Sequence, residues 1–163
     1  MSIRDYIIIF EKPETGHLTY RYPAWDSLTR IIEDDQEFFD AAIARAFRQY
    51  GVEAYPILAS EVETQDRYFR DALHCVNGQP EFNHGECEAL HMAEIRRVRN
   101  AELVKEDVTF MRAVEAGDAD AQATIKTKKQ TLRDLPATFD ITTDADTPEK
   151  LKAKWPTELP ARE

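Results

Sequence analysis

Residues 83–117 read NHGECEALHMAEIRRVRNAELVKEDVTFMRAVEAG. The stretch is rich in Ala, Leu, Glu and Arg and has no proline, so it is helical by propensity. Asn83 followed by Glu86 makes a capping-box start, and Gly117 supplies the stop. Asp107 reads as a second N-cap, so two helices are predicted, one to residue 106 and one over "VTFMRAVEAG". Asp118 or Asp120 then starts a further helix, "ADAQATIKTKKQTLRDL". Pro136 closes it, because the residue before a proline leaves helical backbone. The region 83–136 is therefore a helical hairpin, and the chain as a whole is mainly α.

Upstream the pattern changes. "YIIIF" (6–10) and "HLTYRY" (17–22) read as strands, and Pro13 and Gly16 mark a turn between them. An isolated hairpin is marginal in water, so this one must pack on something. "DDQEFFDAAIARAFRQYG" (34–51) supplies a helix, with Asp34 and Glu37 at its start and Gly51 at its end. Phe39, Ile43, Phe47 and Tyr50 recur on one face and form its expected buried stripe, with Ala42 and Ala46 beside them. "VEAYPIL" is a short extended piece. A second helix is expected from Ser60 through Val62, Phe69 and Leu73, ended by the loop "NGQP" (77–80). Beyond Pro136 the chain is polar and broken by Pro148, Pro156 and Pro160. It reads as an extended arm anchored by Trp155 and Phe139. The predicted fold is thus α+β, mainly α. An N-terminal β-hairpin packs on a helical body (1–82), followed by the helical hairpin (83–136) and the extended arm (137–163).

The chain has 163 residues and a formal net charge of −10. That surface argues against nucleic acid as a partner, since phosphate contacts need clustered Lys and Arg. No apolar run approaches the roughly 20 residues of a membrane span. The N-terminus lacks the basic start, apolar stretch and cleavage site of a signal peptide, which predicts a cytoplasmic protein with Cys75 and Cys87 as reduced thiols.

Both cysteines and three of the four histidines lie in "HCVNGQPEFNHGECEALH" (74–91). On a helix, Cys87 and His91 share a face, His84 lies one turn earlier, and Cys75 could fold back across the loop. Thiolate and imidazole ligands of this kind suit a structural zinc held by Cys75, His84, Cys87 and His91. The spacing contains no C-x₂-C knuckle, however, and small buried cysteines commonly fill helix interfaces. The favoured reading has no metal. Four protein ligands would in any case staple a turn rather than catalyse. No nucleophile elbow, P-loop or dinucleotide fingerprint is present, and the carboxylates of "EDDQEFFD" have no opposing base, so no catalytic residue is nominated. The basic segment "KTKKQTLR" (126–133) reads as an outer helix face, with a weak anionic partner as its functional alternative.

Four ordered pieces carry a family resemblance: "EIRRVRNAEL", an acidic turn at Asp107, "KKQTLRDLP", and "KWPTELP". Over about residues 94–157 the chain resembles the phage tail assembly chaperones. Arg96, Arg99, Asn100 and Leu103 fit the first piece, Gln130 and Leu132 to Pro136 the third, and Trp155 with Pro156 the last. The sequence departs from the family pattern at Lys128, where an aromatic is usual, and in the long segment between "LP" and "WP". Residues 1–93 are not covered. The resemblance implies a non-catalytic protein that binds a tail fibre or baseplate protein, in the host cytoplasm during assembly, as an oligomer within a tail assembly. Its partner-binding candidates are Arg96, Arg99, Asn100, Arg133, Asp134, Trp155 and Pro156. The alternative it implies is a virion structural part, such as a fibre adaptor or baseplate component retained in the tail. A zinc-stapled module or metalloenzyme stands behind both. Within the hairpin, Asp134 at a helix C-terminus needs a cation, and the row Arg96, Arg97, Arg99 offers one. This predicts a carboxylate–guanidinium latch over a seam of Ile95, Val98, Leu132 and Leu135.

Overall fold

The computed structural model describes residues 5–22, 35–63 and 66–162. The chain divides into two compact units, Met1–Asn83 and His84–Glu163. The fold is α+β and mainly α, with its small antiparallel sheets confined to the first unit.

In the first unit β1 (Tyr6–Glu11) is the middle strand, paired antiparallel with β2 (Leu18–Arg21) and β3 (Ala54–Leu58). Its apolar run is continuous because both faces of the sheet are covered. Ile7 and Ile9 pack with Ile57 on one side, while Ile8 and Phe10 meet Ala42, Ala46 and Ala54 on the other. Pro56 is tolerated because β3 is an edge strand of this sheet, where a missing ladder donor costs little.

The helix α1 (Asp35–Tyr50) lies on the Ile8/Phe10 face. Its buried line is not the expected one. Phe38, Ala42 and Ala46 are buried, Phe39 and Tyr50 flank them, and Phe47 is 58% exposed. The reason is steric: two alanines four residues apart let the helix settle close to the sheet, so the contact line passes through the small residues. The aromatics pack around it, as Tyr50 does by stacking on Phe10 at 4.8 Å. The predicted capping residue Asp34 lies outside the described residues.

The expected helix from Ser60 to Leu73 is also replaced. A short helix α2 (Ala59–Glu63) and a 3₁₀ turn (Arg67–Ala72) lead into β4 (Leu73–Val76) and β5 (Gln79–Phe82), which pair as a hairpin. The "NGQP" stretch is therefore a tight turn and the start of a strand. Asn77 and Gly78 have φ of 51° and 80°, the two positive values that a two-residue type I′ turn demands. A Cβ on Gly78 would sit 2.8 Å from the Tyr55 ring, so the position is closed to other residues twice over.

The second unit contains α3 (His84–Glu115), α4 (Ala119–Thr138) and α5 (Pro148–Ala153). The helix α3 is continuous for 32 residues, and Asp107 is not a cap. Asp107 and its neighbour Glu106 instead form ion pairs with Lys129 and Lys128 of α4. The basic segment is thus a clasp inside the hairpin, and its two middle lysines are neutralised there. The true cap is Asp118, whose carboxylate accepts from the Ala121 N–H at 2.9 Å. The predicted seam is present: Ile95, Leu132 and Leu135 are buried, with Val98 packed against them.

Two further expectations fail here. Pro136 does not close α4, which runs on to Thr138 with the proline inside it. Nor is the segment 137–163 an extended arm. It carries α5, opened by Thr147 as cap and Pro148 in the first turn. It buries Ala145, Leu151, Pro156 and Leu159, and Leu159 joins the Ile95–Leu132–Leu135 cluster. The segment is a strap that completes the unit's own core. Among the described residues no helix is long and apolar enough to cross a membrane.

Candidate functional site: the helical hairpin and its strap

Arg99, Leu132, Leu135 and Trp155, from three of the ordered sequence pieces, meet around the junction of α3, α4 and the strap. Arg99 projects from α3 toward the end of α4. Its Nη1 donates to the carbonyls of Leu132 and Arg133, at 3.5 and 3.4 Å. The Leu132 carbonyl is the one that an unbroken helix would pair with the N–H of residue 136. Proline has no such hydrogen. Arg99 therefore offers from α3 a donor in place of the one that Pro136 removes from α4. The geometry is long for a hydrogen bond, and the buried Nε of Arg99 has no partner among the described residues.

The predicted latch is absent. Asp134 accepts from Gln130 Nε2 at 2.9 and 3.0 Å, one turn back on its own helix. Arg97 pairs with Glu94 at 2.6 Å. The arginine row faces carbonyl oxygen and a neighbouring glutamate, not Asp134. Arg96, Asn100, Arg133 and Asp134 are exposed. Pro156 is buried.

Trp155 is held by its own chain on three sides. It packs against the Ile95–Leu132–Leu135 cluster. Its indole N–H donates to the Pro160 carbonyl at 2.8 Å, and the Arg162 guanidinium lies 4.7 Å from the ring centre. A side chain committed in this way is not a free anchor for a partner.

The four candidate zinc ligands fall in both units. Cys75 lies in β4 of the first unit. In the second unit His84 pairs with Glu88 at 3.2 Å, and His91 is fully buried with Nε2 2.6 Å from the Lys154 carbonyl. Only a protonated nitrogen can bond to a carbonyl, so Nε2 carries the hydrogen. Burial lowers the His91 pKa and keeps the ring neutral. Cys87 is buried too, and burial pushes its thiol up to about 11, away from the thiolate a metal needs. The side chains of His84, Cys87 and His91 do not converge as a ligand set.

Sequence reading missed the structural part of His91, which ties the strap to α3 by a contact 63 residues away in the chain. It also missed the Glu106–Lys128 and Asp107–Lys129 clasp. The only signal for that clasp was adjacent acids and adjacent lysines at matching distances from Gly117. No protein family model, curated protein or solved structure matches the chain.

Proposed function

We propose that the chain is a non-catalytic bacteriophage tail protein that binds a tail fibre and assists its folding or attachment in the host cytoplasm. The observation that supports this reading is the convergence of the pattern. "RRVRN", "LRDLP" and "WP" are spread over some sixty residues, yet Arg99 touches the carbonyls of the second piece and Trp155 packs on the seam of the first two. Residues that meet in this way belong to one packed module. Arg99, Trp155 and Pro156 are used up in building the module. Arg96, Asn100 and Arg133 are not, and all three are exposed. Guanidinium and carboxamide donors suit a carboxylate or carbonyl-rich segment of the fibre. No cofactor is invoked.

Co-expression with a phage tail fibre protein, followed by affinity purification, tests the reading. The fibre co-purifies with the wild type, and its recovery falls about tenfold with Arg96→Ala/Arg133→Ala while thermal unfolding is unchanged. Failure of the wild type to retain the fibre overturns the proposal. Mass spectrometry of purified virions distinguishes the assembly factor from an adaptor or baseplate part, which would be present in stoichiometric amount.

A further inference from the structure

The outer face of α3 carries an apolar line that nothing among the described residues covers. Val104, Val108 and Met111 are 63%, 49% and 57% exposed, and Ala101 precedes them on the same line. The spacing is 3, 4, 3, the alternation that defines the a and d positions of a coiled-coil seam. The line lies opposite the face that meets α4. Glu106 and Ala113, two turns apart on the far side, both contact α4 through Lys128 and Gln122. One helix therefore has two apolar faces, one filled by the hairpin and one facing outward.

We propose that this seam pairs with the same seam of a second copy, side by side and parallel, to form a reversible homodimer. The charges flanking the line select that occupant and that direction. With Ala101 and Val108 at a, and Val104 and Met111 at d, the e positions are Lys105 and Arg112 and the g positions are Asn100 and Asp107. A parallel, in-register pair sets each g residue against the e residue five places on in the other copy. That gives Asp107 opposite Arg112, twice, and Asn100 opposite Lys105. Asp107 is paired with Lys129 of its own chain but keeps its side chain 58% exposed. An antiparallel pair would set Lys105 against Arg112 and so place like charges together. Valine at the central a position favours two strands over three. The seam is short of the roughly 1,000 Å² of a permanent interface, so association is reversible and in the micromolar range.

Sedimentation equilibrium of the full chain over rising concentration tests this, with variants that leave the buried face untouched. The wild type shifts from monomer to dimer. Val108→Glu shifts the midpoint at least about tenfold toward higher concentration, with circular dichroism and unfolding temperature unchanged. Arg112→Glu separates the two directions by sign. In the parallel pair it faces Asp107 and weakens association several-fold, an effect that fades with added salt. In an antiparallel pair it relieves the clash with Lys105 and strengthens association. A wild type that stays monomeric to about 1 mM overturns the proposal. So does a dimer indifferent to Val108→Glu, or one strengthened by Arg112→Glu. A monomer whose retention of a co-expressed fibre is lost in Val108→Glu would assign the seam to the fibre, and the homodimer would be wrong.

Discussion

At the scale of single residues, Arg99 and Pro136 form one device. A proline in a helix leaves a carbonyl without a donor, and here an arginine from the neighbouring helix points at it. Arg99→Ala should destabilise the second unit by about 1 kcal/mol, a modest value because both contacts are long. Pro136→Ala returns the missing N–H, so Arg99→Ala should cost less in that background. A double-mutant cycle by chemical unfolding measures the coupling, and strict additivity would dissociate the two residues. Asp134→Ala, which removes only an exposed bond to Gln130, should stay within about 0.5 kcal/mol of the wild type. His91 makes a second residue-level prediction. Its pKa is lowered in the folded chain by burial, so the unfolded state takes up the proton first. Stability is full above the unfolded value of roughly 6.5 and is lost as pH falls through and below it. The depressed carboxylates Glu94, Asp140 and Asp146 act only further down, as pH falls through the ordinary carboxylate range and below it. The unfolding temperature should therefore fall between pH 7.5 and 5.5. His91→Gln, which can still donate to the Lys154 carbonyl, should flatten that slope.

At the scale of elements, the length of α3 is the main surprise. "KED-VTF" has the composition of a helix start, but an N-cap residue is free to serve a helix interior when a partner claims its side chain. Here Lys129 claims Asp107 and Lys128 claims Glu106. The two structures predict opposite behaviour for Val108→Pro. At the first position of a new helix proline is favourable. In the middle of a continuous helix it should cost about 3 kcal/mol or more, and a large drop in unfolding midpoint is the expected result. The β4–β5 hairpin was open to the opposite error. The helical spacing of Val62, Phe69 and Leu73 predicts a helix that "NGQP" ends as a loop, whereas Asn77-Gly78 is also the dipeptide of a tight hairpin turn. The turn's need for two positive φ angles decided the matter.

At the scale of the whole molecule, the C-terminal segment is part of the second unit rather than an appendage. Leu151 and Pro156 are among the most completely buried side chains of the chain, and Leu159 closes the hairpin seam. Trp155→Ala should lower stability by about 2–3 kcal/mol. Deleting residues 137–163 should expose Ile95, Leu132 and Leu135 and yield a chain that binds a hydrophobic dye and loses cooperative unfolding. A truncated protein that melts like the wild type would return the strap to the status of an arm. Under the proposed function, fibre contact falls on the exposed guanidiniums rather than on Trp155, and the proposed homodimer takes the outer face of α3.

Periodicity and local chemistry by themselves determined the class of fold, the YIIIF strand, the existence of α1 and α4, the end of the long helix at Gly117 and the seam of Ile95, Val98, Leu132 and Leu135. These depend on interactions between near neighbours or on a repeat that one helix or strand displays in full. What only the tertiary structure decided were the pairings whose partners lie far apart. Asp107 looks like a cap until Lys129 is beside it, Pro136 looks like a stop until Arg99 reaches the Leu132 carbonyl, and a polar, proline-broken tail looks extended until Leu151 and Leu159 are buried. In each case a local preference worth about 1 kcal/mol, or about 3 for the proline, yields to contacts that exist only once the chain has folded back on itself.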